Sequence, residues 1–193
     1  MNLILASASP RRKELLERAG IEFETAPSFF DESAAPQGLS PRELVLFLSL
    51  EKARKARSRL DAEARERAVI LGADTVVDID GQILGKPKDE ADAYRMLSLL
   101  RGHTHTVYTG VAILADDNEI RFCETTEVTM RALSDEEVWA YIKSGEPMGK
   151  AGSYGIQGKA GLFVTGINGD YNNIVGLPLT KVYVELQKIR AAK

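Results

Sequence analysis

The segment "AVILGADTVVDIDGQIL", from Ala68 to Leu84, constrains the fold more than any other part of the chain. Its first half is continuously apolar, the pattern of a strand buried on both faces rather than the alternation of a half-exposed one. Such a strand belongs in a sheet covered on both sides, which points to a layered α/β or α+β domain. Asp80-Gly81 then predicts a tight hairpin turn.

The flanking segments supply the cover. Leu3 to Leu5 reads as a short buried strand, followed by a helix with Ser9 at its N-cap, Pro10 at its first position and Gly20 at its end. A short strand and a loop with Phe29 to Ser33 occupy residues 21–39. Ser40-Pro41-Arg42-Glu43 is a capping box opening a helix to about Arg59 or beyond. A further helix is expected over Asp89 to Leu100, then strands near 104–115 and 119–131 joined at Asp116-Asp117-Asn118. Ser134 to Glu137 is a second capping box, for a helix to about Lys143. Residues 145–161 are glycine-rich and irregular, Asn168-Gly169 marks another hairpin, and Pro178 starts a last helix. Strict strand–helix alternation fails in the middle. The expected fold class is therefore α/β, in the mixed α+β sense. Its mixed twisted sheet has flanking helices in two lobes around a cleft, within one domain over 1–193.

Charge and cysteine content narrow the function. The net charge of −3 argues against a broad nucleic-acid surface, while leaving room for a local basic pocket. Cys123 is the only cysteine, so there is no disulfide framework and no cysteine-based metal site; it reads as a small buried hydrophobe on a strand. The start, Met1 to Ala6, is too short for a signal segment, and no apolar stretch reaches the ~20 residues of a membrane span. The expectation is a cytoplasmic protein without a membrane or nucleic-acid partner.

Several residues stand where chemistry is expected. Arg11 and Arg12 lie in the first turn of a helix, where cations are normally unfavourable. A bound phosphate would reverse that, because strand–turn–helix starts present backbone N–H groups to anions and arginine pairs with phosphate bidentately. Ser7 would add a hydroxyl. On this fragment alone, two solvated arginines are the commoner arrangement. Asp74 is expected at the end of a fully apolar strand, where α/β sheets place ligands, and a desolvated carboxylate there needs a cation, a hydrogen-bond network or a metal. A structural Asp closing a turn explains it equally well. Glu32 follows Asp31 in a loop, and Lys86 sits between Gly85 and Pro87; a solvated acid pair and an ordinary turn suffice for each on local evidence. Gln157, in Gly155-Ile156-Gln157-Gly158, has the donor and acceptor needed to read a base edge, or is a plain loop amide. His103 and His105 alternate on a strand and read as a half-buried pair. No P-loop, dinucleotide-binding glycine motif or nucleophile elbow is present. Two arginines, lysines and two acids suit a polyphosphate held by cations, with a hard divalent metal on the carboxylates.

Taken in order, "LASASPRR", "DES", "SLEKARK", "GADTVV", "GKP", "GHTHTVYTGVA", "LSDEEV", "GKAGSYGIQGKAGLFV" and "INGDYNNIVGLP" resemble the Maf family of nucleotide pyrophosphatases, also called septum-formation-inhibitor Maf proteins. The resemblance covers nearly the whole chain. It implies a fold like that of the inosine triphosphate pyrophosphatases, and hydrolysis of nucleoside triphosphates to monophosphate and pyrophosphate with a divalent metal, Mg²⁺ or Mn²⁺. It further implies that Ser7, Arg11 and Arg12 bind phosphate, that Glu32, Lys52, Asp74 and Lys86 are catalytic, and that Asp74 and Glu32 hold the metal. Arg12, Thr75 and Gln157 resemble the dTTP/UTP branch rather than the 7-methyl-GTP branch. A homodimer is the family's expected assembly. Two alternatives stay open at this point: a non-catalytic nucleotide-binding regulator of division, and a 7-methyl-GTP enzyme.

Overall fold

The computed structural model describes residues 2–116 and 118–191. Asp117, in the expected turn between the two long strands, lies outside the described residues. The elements run β1 (Asn2–Leu5), α1 (Pro10–Arg18), β2 (Glu24–Thr25), α2 (Pro41–Arg57), α3 (Ala62–Arg67), β3 (Ala68–Ile79) and β4 (Gln82–Leu84). They continue with α4 (Glu90–Leu100), β5 (Thr104–Ala115), β6 (Asn118–Met130), α5 (Asp135–Ile142), β7 (Val164–Asn168), α6 (Tyr171–Val175) and α7 (Leu179–Ala191). The strands form a seven-stranded sheet in the order β2-β1-β3-β5-β6-β7, with β4 beside β3. It is mixed: β1 runs parallel to β2 and β3, while β3–β4 and β6–β7 are antiparallel. The α/β expectation, mixed sheet included, therefore holds.

The chain divides into two compact units. The first comprises 1–74, 109–124 and 176–193, and the second 75–108 and 125–175. Each has its own apolar core. In the first, Ile4, Leu50, Ala53, Ile70 and Leu114 pack together; in the second, Val77, Leu97, Leu100, Val128, Met130 and Ile142 do so.

Local rules account for most elements. Ser40 and Ser134 both form complete capping boxes, with Glu43 and Glu137. Asp80 and Gly81 both have positive φ, 51° and 79°, the requirement of a type I′ hairpin turn, and Ile79 faces Gln82 across it. Cys123 is buried on β6 as expected. Four expectations change. The helix from Pro41 ends at Arg57, and Asp61, whose side chain accepts from Ala64 N, caps a separate α3. Asn168-Gly169 is not a hairpin: β7 passes directly into α6, with Asp170 accepting from Asn172 N and donating its own N–H to Thr126 Oγ1. His103 is exposed ahead of β5, while His105 is buried on it, so the two are not a half-buried strand pair. Asp74 lies within β3 rather than at its end, because pairing continues to Ile79.

Candidate active site

The first unit gathers six of the expected residues, Ser7, Arg11, Arg12, Glu32, Lys52 and Asp74. After β1, the chain turns through Ala6 to Ser9 into α1. Ser9 occupies the N-cap but makes no side-chain cap bond; Ser7 Oγ instead accepts the Ser9 N–H at 3.2 Å. The same oxygen accepts from Arg12 Nη1 at 3.1 Å, and Arg12 Nε donates to the Gly176 carbonyl at 2.7 Å. Arg12 is thereby a fixed guanidinium, 8% exposed, at a helix start whose first turn holds no acid. Ser7 acts first as an acceptor that orients this arginine, with its single O–H still able to donate. Arg11 is half-buried beside it and disfavours the Arg12 charge. Burial lowers the Arg12 pKa most, and Asp74 and Glu32 oppose the shift.

Lys52 is the hub of the site. Its Nζ donates to Asp74 Oδ1 at 2.5 Å and to Glu32 Oε1 at 2.7 Å. It belongs to the buried face of α2 with Val45, Leu48, Ser49, Ala53 and Ala56, at helical spacing. Two glycines let that face approach the sheet. A Cβ on Gly72 of β3 would stand 2.2 Å from the Ser49 carbonyl oxygen, and one on Gly110 of β5 would stand 2.2 Å from that of Val45. Only glycine permits such backbone contact. α2 therefore lies close enough for Lys52 to reach the carboxylate two residues beyond Gly72.

Asp74 is 6% exposed. Burial pushes its carboxyl above the ordinary value, while the Lys52 ammonium and the Arg12 guanidinium pull it down and Glu32 adds to the rise. Glu32 opens a short 3₁₀ turn, Glu32–Ala34, capped by Asp31, and its side chain is the more exposed of the two acids. The arrangement offers a buried proton acceptor, a second carboxylate and a set of fixed cations: the equipment for binding and cleaving a polyphosphate.

Thr75, Lys86 and Gln157 belong to the second unit. Thr75 follows Asp74 on β3 and is half-buried. Lys86 is exposed after β4, with the Gly85 carbonyl accepting from Gly152 N. Gln157 is exposed in a turn within the glycine-rich segment. Sequence reasoning missed Gly72, Gly110 and the Gly176 carbonyl as parts of the site. An isolated glycine inside an apolar strand was the available signal for the first two.

Two carboxylates on one ammonium are a hard-oxygen donor set. Among the described residues no group of three or more His, Cys, Asp or Glu side chains could hold a metal.

Comparison with known proteins places the chain in a family. The Maf family model, described as Maf-like protein, matches residues 2–189. A protein of Bacillus cereus named dTTP/UTP pyrophosphatase is 51% identical over 186 residues, covering 96% of this chain and 94% of its own. Proteins of the same name from Bacillus cytotoxicus and Bacillus anthracis are each 50% identical, again over 96% of this chain and 94% of theirs. With a family match across almost its entire length and relatives at half identity, the chain belongs to the Maf family.

Proposed function

We propose that this chain is a nucleoside triphosphate pyrophosphatase that hydrolyses dTTP and UTP to the monophosphate and pyrophosphate. One observation carries the reading: Lys52 joins two carboxylates, Asp74 and Glu32, in the same unit as a buried Arg12 pinned by Ser7 and Gly176. The relatives at 50–51% identity named dTTP/UTP pyrophosphatase support the substrate assignment.

In this reading Asp74 and Glu32 hold a divalent cation, Mg²⁺ or Mn²⁺, which when bound supplies Lewis-acid stabilisation of phosphate oxygens. Arg11, Arg12 and Lys86 neutralise the triphosphate. Ser7 keeps the Arg12 fork aimed, and bidentate pairing with a phosphate gives geometric as well as electrostatic selectivity. Asp74 or Glu32 takes a proton from the attacking water. The water oxygen bonds to the α-phosphorus, the Pα–O–Pβ bond breaks, and pyrophosphate leaves with its charge held by the cations. Lys52 orients both acids. Thr75 and Gln157 read the pyrimidine by hydrogen bonds, which reject a mismatched base by leaving polar groups unpaired.

The domain reading is one Maf-type domain over 1–193, supported by the family match over residues 2–189. No helix among the described residues is long and apolar enough to cross a membrane. A cytoplasmic location, a homodimer and the lack of a nucleic-acid partner complete the proposal.

The test is pyrophosphate release from dTTP, UTP, CTP, dGTP and 7-methyl-GTP with Mg²⁺ or Mn²⁺, and again with EDTA. The expected result is metal-dependent release, fastest from dTTP and UTP. Release chiefly from 7-methyl-GTP would overturn the substrate assignment. No release from any nucleotide by folded protein would leave a binding regulator.

A further inference from the structure

A side chain with no part in the proposed chemistry holds the loop that carries Gln157. Glu146 follows α5, just after Gly145, whose φ of 74° turns the chain back. Glu146 Oε1 accepts from Tyr141 Oη at 3.0 Å, and Oε2 accepts from the Lys159 backbone N–H at 3.1 Å. Tyr141 Oη in turn accepts from the Gly155 backbone N–H at 3.1 Å. Gln157 is thus bracketed, two residues to either side, by amides tied to one Tyr141–Glu146 relay. Lys150 Nζ adds a bond to the Glu146 carbonyl.

The glycines around Gln157 match this clasp. A Cβ on Gly158 would stand 2.3 Å from Glu146 Oε1 and 2.7 Å from Oε2. A Cβ on Gly155 would stand 2.8 Å from Lys150 Cε. The loop backbone therefore lies directly on the Glu146 carboxylate and the Lys150 stem. An exposed glutamine between glycines would otherwise sample many conformations, and recognition by one amide needs that freedom removed beforehand.

We infer that Glu146 is a positioning residue for base selection: its carboxylate clamps the 155–159 turn and so sets where the Gln157 amide is presented. This rests on the assignment of Gln157 to base reading. Glu146 touches neither phosphate nor reacting water in this account, so its loss alters which base is preferred more than how fast the bond is cut.

The experiment measures kcat and KM for dTTP, UTP and CTP with Mg²⁺, in the wild type and in Glu146→Ala, Glu146→Gln, Tyr141→Phe, Gly158→Ala and Gln157→Ala. Glu146→Ala is expected to lower the dTTP-over-CTP ratio of kcat/KM about tenfold, mainly through KM for dTTP. Glu146→Gln should hold the ratio within about twofold, because its amide oxygen still accepts from Lys159 N and its NH₂ reaches Tyr141 Oη. Tyr141→Phe should lower the ratio in the same direction without changing side-chain shape. Gly158→Ala should lower it too, and combining it with Glu146→Ala should add nothing, because the clash partner is gone. A ratio unchanged in both Glu146→Ala and Tyr141→Phe, while Gln157→Ala loses it, overturns the positioning role and leaves base reading intact. A ratio unchanged in Gln157→Ala overturns base reading, and the positioning role with it.

Discussion

Arg12, Lys52 and Asp74 are each less than one-tenth exposed and sit on α1, α2 and β3, whereas Gln157 is exposed on a turn between two short 3₁₀ segments. In the proposed function the first region works by charge, and its groups are buried on regular elements, with Lys52 paired to Asp74. The second, in the proposed function, works by hydrogen-bond complementarity to one base edge, which asks for an open side chain on a tied-down backbone. On that proposal phosphate binding belongs to the sheet and its covering helices, and base selection to a clasped loop. Changes in the first region should remove activity or stability; changes in the second should redistribute activity among substrates.

The strongest way to break this contrast is Asp74→Asn. Turnover is expected to fall about a thousandfold, within the range of a lost general base, while circular dichroism shows a retained fold. Near-normal turnover would end the role of Asp74 and the contrast with it. Next comes Lys52→Met, which strands both acids without their shared ammonium. Turnover should fall about a hundredfold, and stability by about 3 kcal/mol at pH 8, as for other broken buried pairs. That loss should shrink at pH 5. A carboxyl whose folded value is raised stays protonated after the unfolded chain has ionised, so its cost grows as pH rises from about 4 through the folded value. A loss independent of pH, measured by denaturant melts, would mean Asp74 is not the group Lys52 compensates.

Gly72→Ala sharpens the structural half of the comparison. The added methyl stands against the Ser49 carbonyl oxygen, so α2 must retreat, at about 1–3 kcal/mol. Turnover should fall together with the denaturation midpoint, because Lys52 moves with the helix. A stability loss with unchanged kcat would uncouple the seating of α2 from the chemistry.

His105 supplies a gentler, pH-dependent effect in the second unit. It is 2% exposed, its Nε2 meets Tyr154 Oη at 2.8 Å, and its Nδ1 has no partner among the described residues. Burial lowers its pKa to about 4. The unfolded chain therefore binds a proton that the folded one refuses between pH 6.5 and 4. Stability is full above 6.5 and declines by up to about 3 kcal/mol on acidification to 4. His105→Gln should flatten that slope in urea melts at successive pH values, leaving the dTTP-over-CTP ratio unchanged. A slope equal to that of the wild type would assign the acid sensitivity elsewhere.

What was legible in the sequence followed local physics. The continuous apolar run gave away β3, and serine–glutamate spacing marked the starts of α2 and α5. Asp80-Gly81 was readable because its turn requires two positive φ values, which those residues tolerate. Asn168-Gly169 misled because the same residue types also serve a strand-to-helix turn, chosen here by the bonds between Asp170 and Thr126. His103 and His105 were separated because strand pairing starts between them. The candidate residues were legible by type and by family resemblance, and their mutual positions were not. Nothing next to Lys52 in the chain marks it as the ammonium that meets Asp74 and Glu32, which lie 22 and 20 residues away.

The sequence by itself determined most of the elements and their order, the supply of cations and carboxylates, and the family. Those follow from interactions within a few residues, or from motifs read directly. The tertiary structure alone decided which cation meets which acid, that Ser7 orients Arg12, that Gly72 and Gly110 seat α2, and that Glu146 clasps the Gln157 turn. Pairing and proton affinity depend on distance and desolvation, and both are set only when segments far apart in the chain are packed together.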